Sequence, residues 1–279
     1  MMRVKIVAAL LPITMLLGSC SIPTLGNSQA AQQVAVEGEI TPYDLDLYAE
    51  ILSTYVDDDG WVDYSGLQAN RAKLDQFNAS LNAVSAETYA GWGEEEQIAF
   101  LVNAYNSLTL KSIIDQDPLK ASIRDIPGVW RFRQHPILGE TQTLDAIEHD
   151  ILRKDFNEPR IHAALVCAAR SCPPLRTEPF TGEALDEQLD DQVELWLASD
   201  VGLAIDQDNG NVSISAIFDW FGEDWQATYS PESGFTGSDN QKAVLNFIST
   251  YLEPEEADYL RQGDYNLKYL DYDWSLNQQ

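Results

Sequence analysis

The sequence is poor in basic residues, cysteine and histidine. Only 17 of its 279 residues are Lys or Arg, against 45 Asp or Glu, and the formal net charge is −28 at pH 7. A surface this acidic repels phosphate backbones, and no basic cluster interrupts it, so we expect no nucleic-acid partner. The chain also lacks a Cys-x-x-Cys pair, a His-Glu-x-x-His helix and a glycine-rich phosphate loop. We therefore expect neither a metal nor a cofactor.

Long hydrophobic runs are also missing, and the one apolar run near the start is too short for a permanent membrane helix. It spans residues 6–17, follows two basic residues and leads into Leu17-Gly18-Ser19-Cys20. This pattern is typical of a secretory signal and resembles a bacterial lipobox. We predict a signal peptide at 1–19 and a lipidated Cys20 that anchors the protein in a bilayer of the cell envelope. An ordinary signal peptide in which Cys20 has no role is the alternative.

The rest of the chain divides into a tether and one domain. Residues 20–41 are small and polar with no aromatic residue, which indicates a flexible tether. We predict a single α+β domain over residues 42–279, rich in helix, with a small mixed or antiparallel sheet. Apolar periodicity predicts helices at about 42–55, 67–81, 94–115, 143–154, 185–196 and 242–252. Strand patterns predict a buried strand at 161–167, a hairpin at Asn209-Gly210 and a last strand at 266–276.

The densest group of reactive side chains lies between residues 162 and 172. A cysteine acts as a nucleophile when a nearby cation or imidazole lowers its pKa and substrate can reach it. Cys172 fits best, because it lies in a loop, whereas Cys167 would end a buried strand. On that strand His162 and Cys167 would face opposite sides. We therefore propose Cys172 as nucleophile, with His162 or His149 as its base.

Other interpretations of the same cysteines remain open. In an oxidising compartment Cys167 and Cys172 would form a structural disulfide, and the domain would be a ligand-binding or assembly module without catalysis. If that bridge is readily reduced, the pair would support thiol–disulfide exchange. A metal site at His162 and the two cysteines is disfavoured by the spacing and by the strand geometry.

Several further polar residues are candidates for the site. Glu148, a carboxylate beside His149, completes the candidate catalytic set because it can orient an imidazole. Asn103 and Asn106 are costly inside a helix unless their amides bond to a fixed group, so they are either structural anchors or positioning groups. The candidate binding residues are Asn103, Asn106, Arg170 and Asp273.

Aromatic residues are concentrated in two segments near the C-terminus. Such clusters belong either to a core or to the wall of a pocket for a polar organic ligand. They are Phe218, Trp220, Phe221 and Trp225, followed by Tyr269, Tyr272 and Trp274.

Four segments together resemble the Domain of Unknown Function 547 family. They span residues 96–106, 144–149, 159–175 and 272–277, and the resemblance covers a core of about 60–225. Leu101 stands where the family pattern leads us to expect Trp. The resemblance implies a bacterial envelope protein, and it points to thiol chemistry because some plant members are described as disulfide oxidoreductase-like. It transfers no catalytic role, although its motifs include the candidate catalytic residues.

Together, these observations predict an envelope lipoprotein with a thiol-dependent hydrolase or acyl-transferase domain. Its ligand would be a peptide-like or small-molecule substrate. The alternatives are the binding module and the thiol–disulfide redox protein.

Overall fold

The computed structural model describes residues 40–279. Their fold is α+β and rich in helix, as predicted, and it has two small sheets. The signal peptide, Cys20 and nearly all of the tether lie outside the described residues. No helix within 40–279 combines the length and the hydropathy that a membrane crossing needs. The α-helices are α1 Leu45–Tyr55, α2 Tyr64–Ala69, α3 Ala72–Ala83, α4 Ala86–Ala90, α5 Glu94–Ile114, α6 Arg153–Asp155, α7 Ile161–Ala164, α8 Leu185–Ala198, α9 Ile217–Phe221, α10 Gln226–Tyr229, α11 Asp239–Ser249 and α12 Pro254–Gln262.

Two sheets and three other helical segments complete the described fold. The strands are β1 His135–Ile137, β2 Glu140–Gln142, β3 Leu203–Asp206, β4 Asn211–Ile214 and β5 Asn266–Tyr269. The other helical segments are the 3-10 turns Ile123–Asp125 and Gly222–Trp225 and the π-helix Ala146–Leu152.

Helix α5 forms the centre of the larger core cluster. Its first turn carries three glutamates, whose charges favour a helix N-terminus. From Ile98 to Ile114 every residue except Lys111 is buried. The apolar stripe predicted from the sequence is therefore only part of a helix that is enclosed on all sides.

The strand predicted at 161–167 is wrong. Residues Ile161–Ala164 form helix α7, and the chain then runs extended without a neighbouring strand. A short apolar run does not distinguish a buried strand from a buried helical turn. The side chain of Asn106 takes the place of a neighbouring strand, since it donates to the Ala164 carbonyl and accepts from the Val166 N–H, both at 2.9 Å.

The helix predicted at 143–154 is present, but most of it is a π-helix. It begins where the Thr143 hydroxyl accepts from the Ala146 N–H at 3.0 Å, and it continues into α6. Residues Ala146–Leu152 have the wider π geometry, which is rare and frequently marks functional sites. This segment carries Glu148 and His149.

The three-stranded sheet, in the order β3-β4-β5, is mixed. The predicted hairpin at Asn209-Gly210 joins antiparallel β3 and β4, and β5 pairs with β4 in parallel. The last strand is shorter than predicted and ends at Tyr269. Beyond it the chain makes isolated bridges, including Ser275 with Ser122 and Leu276 with Ala169. The C-terminal segment therefore crosses back over the cysteine loop and brings Tyr272 to it.

Candidate functional site

A disulfide joins Cys167 to Cys172. This is the bridged alternative raised by the sequence, and a bridged Cys172 is not available as a nucleophile. The expected exposures are reversed, because Cys167 is partly exposed and Cys172 is 5 % exposed. Cys167 does not end a buried strand, because residues 161–164 form the helical turn α7, and its side chain lines the aromatic cavity although both neighbours are buried.

The two sulfur atoms have different surroundings. The Sγ of Cys172 accepts the N–H of Cys167 at 3.1 Å and the N–H of Ala169 at 3.4 Å. The hydroxyl of Tyr272 lies 3.3 Å from the same sulfur and 3.2 Å from the Sγ of Cys167. The buried sulfur is thus surrounded by hydrogen-bond donors.

Each cysteine lines a different cavity. Cys167 contributes to a cavity of about 490 Å³, here named the aromatic cavity. Cys172 contributes to a second cavity of about 740 Å³, here named the polar cavity. The walls of the aromatic cavity include the rings of Tyr105, Trp130, Phe132, Trp220, Phe221, Tyr272 and Trp274 and the polar side chains of Arg124, Arg131, Asp145, Glu148, His149 and His162.

His162 lies in the wall of the aromatic cavity, and Asp224 is its partner. Its Nε2 is 2.8 Å from an Asp224 oxygen, and its ring stacks on Phe221 with centroids 4.6 Å apart. Arg153 holds the same carboxylate at 2.6 and 2.9 Å. Burial alone would raise the pKa of Asp224, but the hydrogen bonds from His162 and Arg153 outweigh it and lower the pKa to about 2. The carboxylate therefore stays charged at neutral pH.

His149 and Glu148 reach the aromatic cavity from the π-helix. The Nδ1 of His149 lies 3.2 Å from the Arg153 guanidinium. Glu148 faces two phenols. Burial raises the pKa of Tyr105 well above its usual value, and the negative charge of Glu148 raises it further. The same two causes, in the same order, raise the pKa of Tyr272.

The structure does not assemble the expected pair of Cys172 and an imidazole. Among residues 40–279, neither His149 nor His162 forms a hydrogen bond with Cys172; the donors to its sulfur are those described above. The predicted catalytic set is thus divided, with both histidines and Glu148 at the aromatic cavity and Cys172 at the polar cavity.

Asn103 and Asn106 are structural anchors. Asn103 donates to the carbonyl of Phe180 at 2.7 Å and accepts from its N–H at 3.0 Å. Asn106 holds residues 164 and 166 in the same way. Both are buried, and neither lines the two cavities described. Asn106 nevertheless fixes the chain immediately before Cys167.

Arg170 and Asp273 lie at the polar cavity instead. The Arg170 guanidinium sits over the Trp61 ring at 4.5 Å, and its Nε is 3.9 Å from an Asp273 oxygen. The carboxylate of Asp273 accepts the N–H of Ser275 at 2.9 Å. Both residues are therefore close to the cysteine loop but not to the histidines.

Sequence reasoning missed two contacts of the site. Tyr272 was named only as an aromatic residue, yet its hydroxyl touches both sulfurs. Asp224 lies in the sequence between the aromatic residues Phe221 and Trp225, and its pairing with His162 was not expected. The closing segment at 272–277 was the available signal for Tyr272, because it was one of the four segments that resemble the family. No residues between 40 and 279 form a group of three or more His, Cys, Asp or Glu placed to hold a metal ion.

Comparison with known proteins supports the family resemblance over part of the chain. No curated protein and no solved structure matches it. The matched family segment is narrower than the resemblance at 60–225 and excludes both Asp224 and Tyr272. Residues 89–197, which carry the disulfide, both histidines of the aromatic cavity and Glu148, match the model of the family described as Protein of unknown function, DUF547, and this match supports assignment to that family.

Proposed function

We propose that the protein is a thiol–disulfide exchange protein whose redox centre is the Cys167–Cys172 bridge. The observation that carries this proposal is the unequal environment of the two sulfurs. Cys167 is partly exposed at the aromatic cavity, whereas Cys172 is buried among hydrogen-bond donors. One sulfur is thus accessible to an attacking thiolate, and the other is favoured as the leaving group.

The exchange proceeds in two steps. A substrate thiolate attacks the Sγ of Cys167, forms a mixed disulfide, and breaks the bond to Cys172, which leaves with the electron pair. A second substrate thiolate then attacks the substrate sulfur of the mixed disulfide and releases Cys167. The substrate dithiol loses two electrons and becomes a disulfide, and its two protons end on Cys167 and Cys172.

The donors around Cys172 favour this direction of attack. A thiol of lower pKa is a better leaving group, and hydrogen bonds to an ionised acceptor are stronger than those to a neutral one. When the bridge opens, the N–H groups of Cys167 and Ala169 and the hydroxyl of Tyr272 are already placed to stabilise a Cys172 thiolate. Of these donors, only the Tyr272 hydroxyl also lies within hydrogen-bond distance of the Cys167 sulfur.

The hydrolase or acyl-transferase hypothesis has less support. It needs Cys172 as a free thiol with an imidazole base within hydrogen-bond reach, and the imidazoles of the aromatic cavity are engaged with Asp224 and Arg153. The second candidate is a binding or assembly module with a permanent bridge, and the aromatic cavity favours it because ring-lined clefts of this size hold small ligands.

We further propose that the protein is an envelope lipoprotein, held in the bilayer through Cys20. An oxidising compartment outside the cytoplasm would keep a disulfide formed. The lipobox-like Leu17-Gly18-Ser19-Cys20 supports this location.

The ease of reduction of the bridge and the reactivity of each thiol test the exchange function. In a Cys20→Ser background, the oxidised protein is treated with dithiothreitol in native buffer, free thiols are alkylated, and the intact mass counts them. We expect the bridge to open without denaturant. We also expect the reduced Cys172→Ser variant to react with oxidised glutathione at least about 10-fold faster than Cys167→Ser, because Cys167 is the more exposed of the two cysteines.

Two results would contradict the proposal. A bridge that opens only after denaturant is added would favour the binding module instead. Equal glutathione reaction in the two single variants, both folded by circular dichroism, would remove the asymmetry on which the mechanism depends.

A further inference from the structure

We infer that the aromatic cavity is a binding site for an organic cation, with Glu148 as its charge partner. This inference deepens the proposed function by naming the substrate class, a peptide with an ammonium or guanidinium group near its cysteine. That the ligand is a substrate rests on the proposed exchange function, whereas binding of the cation does not require that function.

Glu148 is a carboxylate without a cationic partner. Within residues 40–279 it forms no ion pair, although acidic neighbours on both sides do: Asp145 lies 3.5 Å from Arg131, and Asp150 pairs with Lys154. Glu148 is only partly exposed and lines the aromatic cavity. Its neighbours there include the neutral phenol of Tyr105, which hydrogen-bonds to it but supplies no positive charge. A bound cation would supply that charge.

The charge of Glu148 acts inside the cavity. It lies close enough to the phenols of Tyr105 and Tyr272 to raise the pKa of each beyond the effect of burial. Both phenols therefore stay protonated at neutral pH, and the carboxylate is left as the charge at this end of the cavity.

The aromatic rings suit a cation. The negative face of an aromatic ring attracts ammonium and guanidinium groups, and rings of this kind recognise quaternary ammonium ligands. Two arginines already occupy ring faces here, since Arg124 lies 5.1 Å from the Trp274 centroid and Arg153 lies 4.8 Å from that of Phe221. Trp220 is 43 % exposed, so part of the aromatic wall is open to a ligand.

The basic residues around the aromatic cavity do not reverse its preference for a cation. Arg131 is paired with Asp145, and Arg153, which lies behind the wall on the Phe221 ring, is paired with Asp224 and Glu223. Arg124 is the cation of this wall for which the structure shows no ion pair within 40–279, and it is exposed. The formal charge of −28 adds a long-range attraction for cations.

Three probes with the same phenyl ring and different charge test the site. Benzyltrimethylammonium, benzyl alcohol and phenylacetate are titrated calorimetrically into the oxidised full chain, at equal ionic strength and at pH 8, where free imidazoles are mostly neutral. We expect the cation to bind most tightly.

Charge-matched variants locate the site. We expect Glu148→Gln to weaken binding of benzyltrimethylammonium at least about 10-fold and to leave benzyl alcohol unchanged. Asp150→Asn removes the same charge two residues away on an exposed position and should change neither affinity. Tighter binding of phenylacetate, or a Glu148→Gln variant that binds the cation normally, would overturn the inference.

Failure of this inference is distinguishable from failure of the exchange function. Dithiothreitol has no cationic group, so it needs no cation site to open the bridge. A bridge that opens normally in a protein that does not bind the cation refutes only the cation site. Cation binding by a protein whose bridge resists dithiothreitol refutes only the exchange function.

Discussion

The hydroxyl of Tyr272 is shared by the two sulfurs of the bridge. It lies 3.2 Å from Cys167 and 3.3 Å from Cys172, and the rest of the ring packs against Trp220 and Trp274. Aromatic packing fixes the ring, so the hydroxyl does not need to be ordered when the bridge opens. Tyr272 therefore acts in the exchange mechanism as a positioned donor to the departing thiolate.

Removal of this hydroxyl should slow the opening of the bridge. We expect Tyr272→Phe to lower the rate of reduction by dithiothreitol roughly 10-fold, because a hydrogen bond to a charged group contributes about 1.5–3 kcal/mol. The pKa of the Cys172 thiol in the reduced protein, measured from the pH dependence of alkylation, should rise. Tyr269→Phe, which removes a hydroxyl that bonds to Gln241, is the control. An unchanged reduction rate in Tyr272→Phe would show that the hydroxyl has only a structural role.

Asn103 and Asn106 show how far a single residue type can be interpreted. Amides in a buried helix indicated fixed hydrogen-bond partners, and both asparagines have them. Which partners they have was not readable, because those partners lie 58 or more residues away in the sequence. The local cost of an Asn in a helix is visible in the sequence, whereas the loop that offsets it is not.

At the level of elements, Asp224 connects three short segments beside the aromatic cavity. It belongs to the 3-10 turn Gly222–Trp225 and binds Arg153, which follows the π-helix, and His162 in α7. The elements are short, so they depend on such contacts more than on their own helical stability.

This connection should make the stability of the fold sensitive to acid. The pKa of Asp224 is about 2 in the folded protein, below its ordinary value of 3.8. A lowered folded pKa contributes stability that is complete above about pH 4 and is lost as the pH falls towards 2. We expect Asp224→Asn to lower the free energy of unfolding at pH 7 by about 1–2 kcal/mol and to weaken its dependence on pH between 4 and 2.

Urea denaturation across this pH range is the measurement. Asp219→Asn, an exposed carboxylate nearby, is the control and should behave like the wild type. If Asp224→Asn retains the full acid dependence, another carboxylate is responsible for it.

At the level of elements, the longest helix was predictable and the short segments of the site were not. Helix α5 agrees with its predicted span within one residue at its C-terminal end, because 21 residues supply many apolar positions and an acidic first turn. The segment 161–167 offered only a short apolar run, and the amide of Asn106, which is distant in the sequence, bonds to the backbone at the end of its helical turn. The π geometry at Ala146–Leu152 had no sequence signal that we recognised.

The whole molecule combines a strongly acidic domain with a proposed lipid anchor. Anionic lipid headgroups repel a chain of net charge −28, so electrostatics would not hold it at a membrane. Attachment would therefore depend on the acyl chains at Cys20, which lies outside the described residues.

Substitution of Cys20 tests the anchor. We expect the wild-type protein from a bacterial host to enter the detergent phase on Triton X-114 partitioning and Cys20→Ser to remain in the aqueous phase, because loss of the acyl chains removes the hydrophobic contribution. The double variant Cys167→Ser/Cys172→Ser should partition like the wild type. A Cys20→Ser protein that still enters the detergent phase would mean that another feature attaches it.

The sequence by itself determined the fold class, the central helix, the β3–β4 hairpin and the set of polar residues from which the site is built. These follow from local periodicity, turn residues and composition, which need no knowledge of distant contacts. Only the tertiary structure decided that Cys167 faces the aromatic cavity, that Cys172 is buried, and that Asp224 and Tyr272 complete the site. Those outcomes depend on residues 62 to 105 positions apart meeting in space, and no local pattern encodes the packing that brings them together.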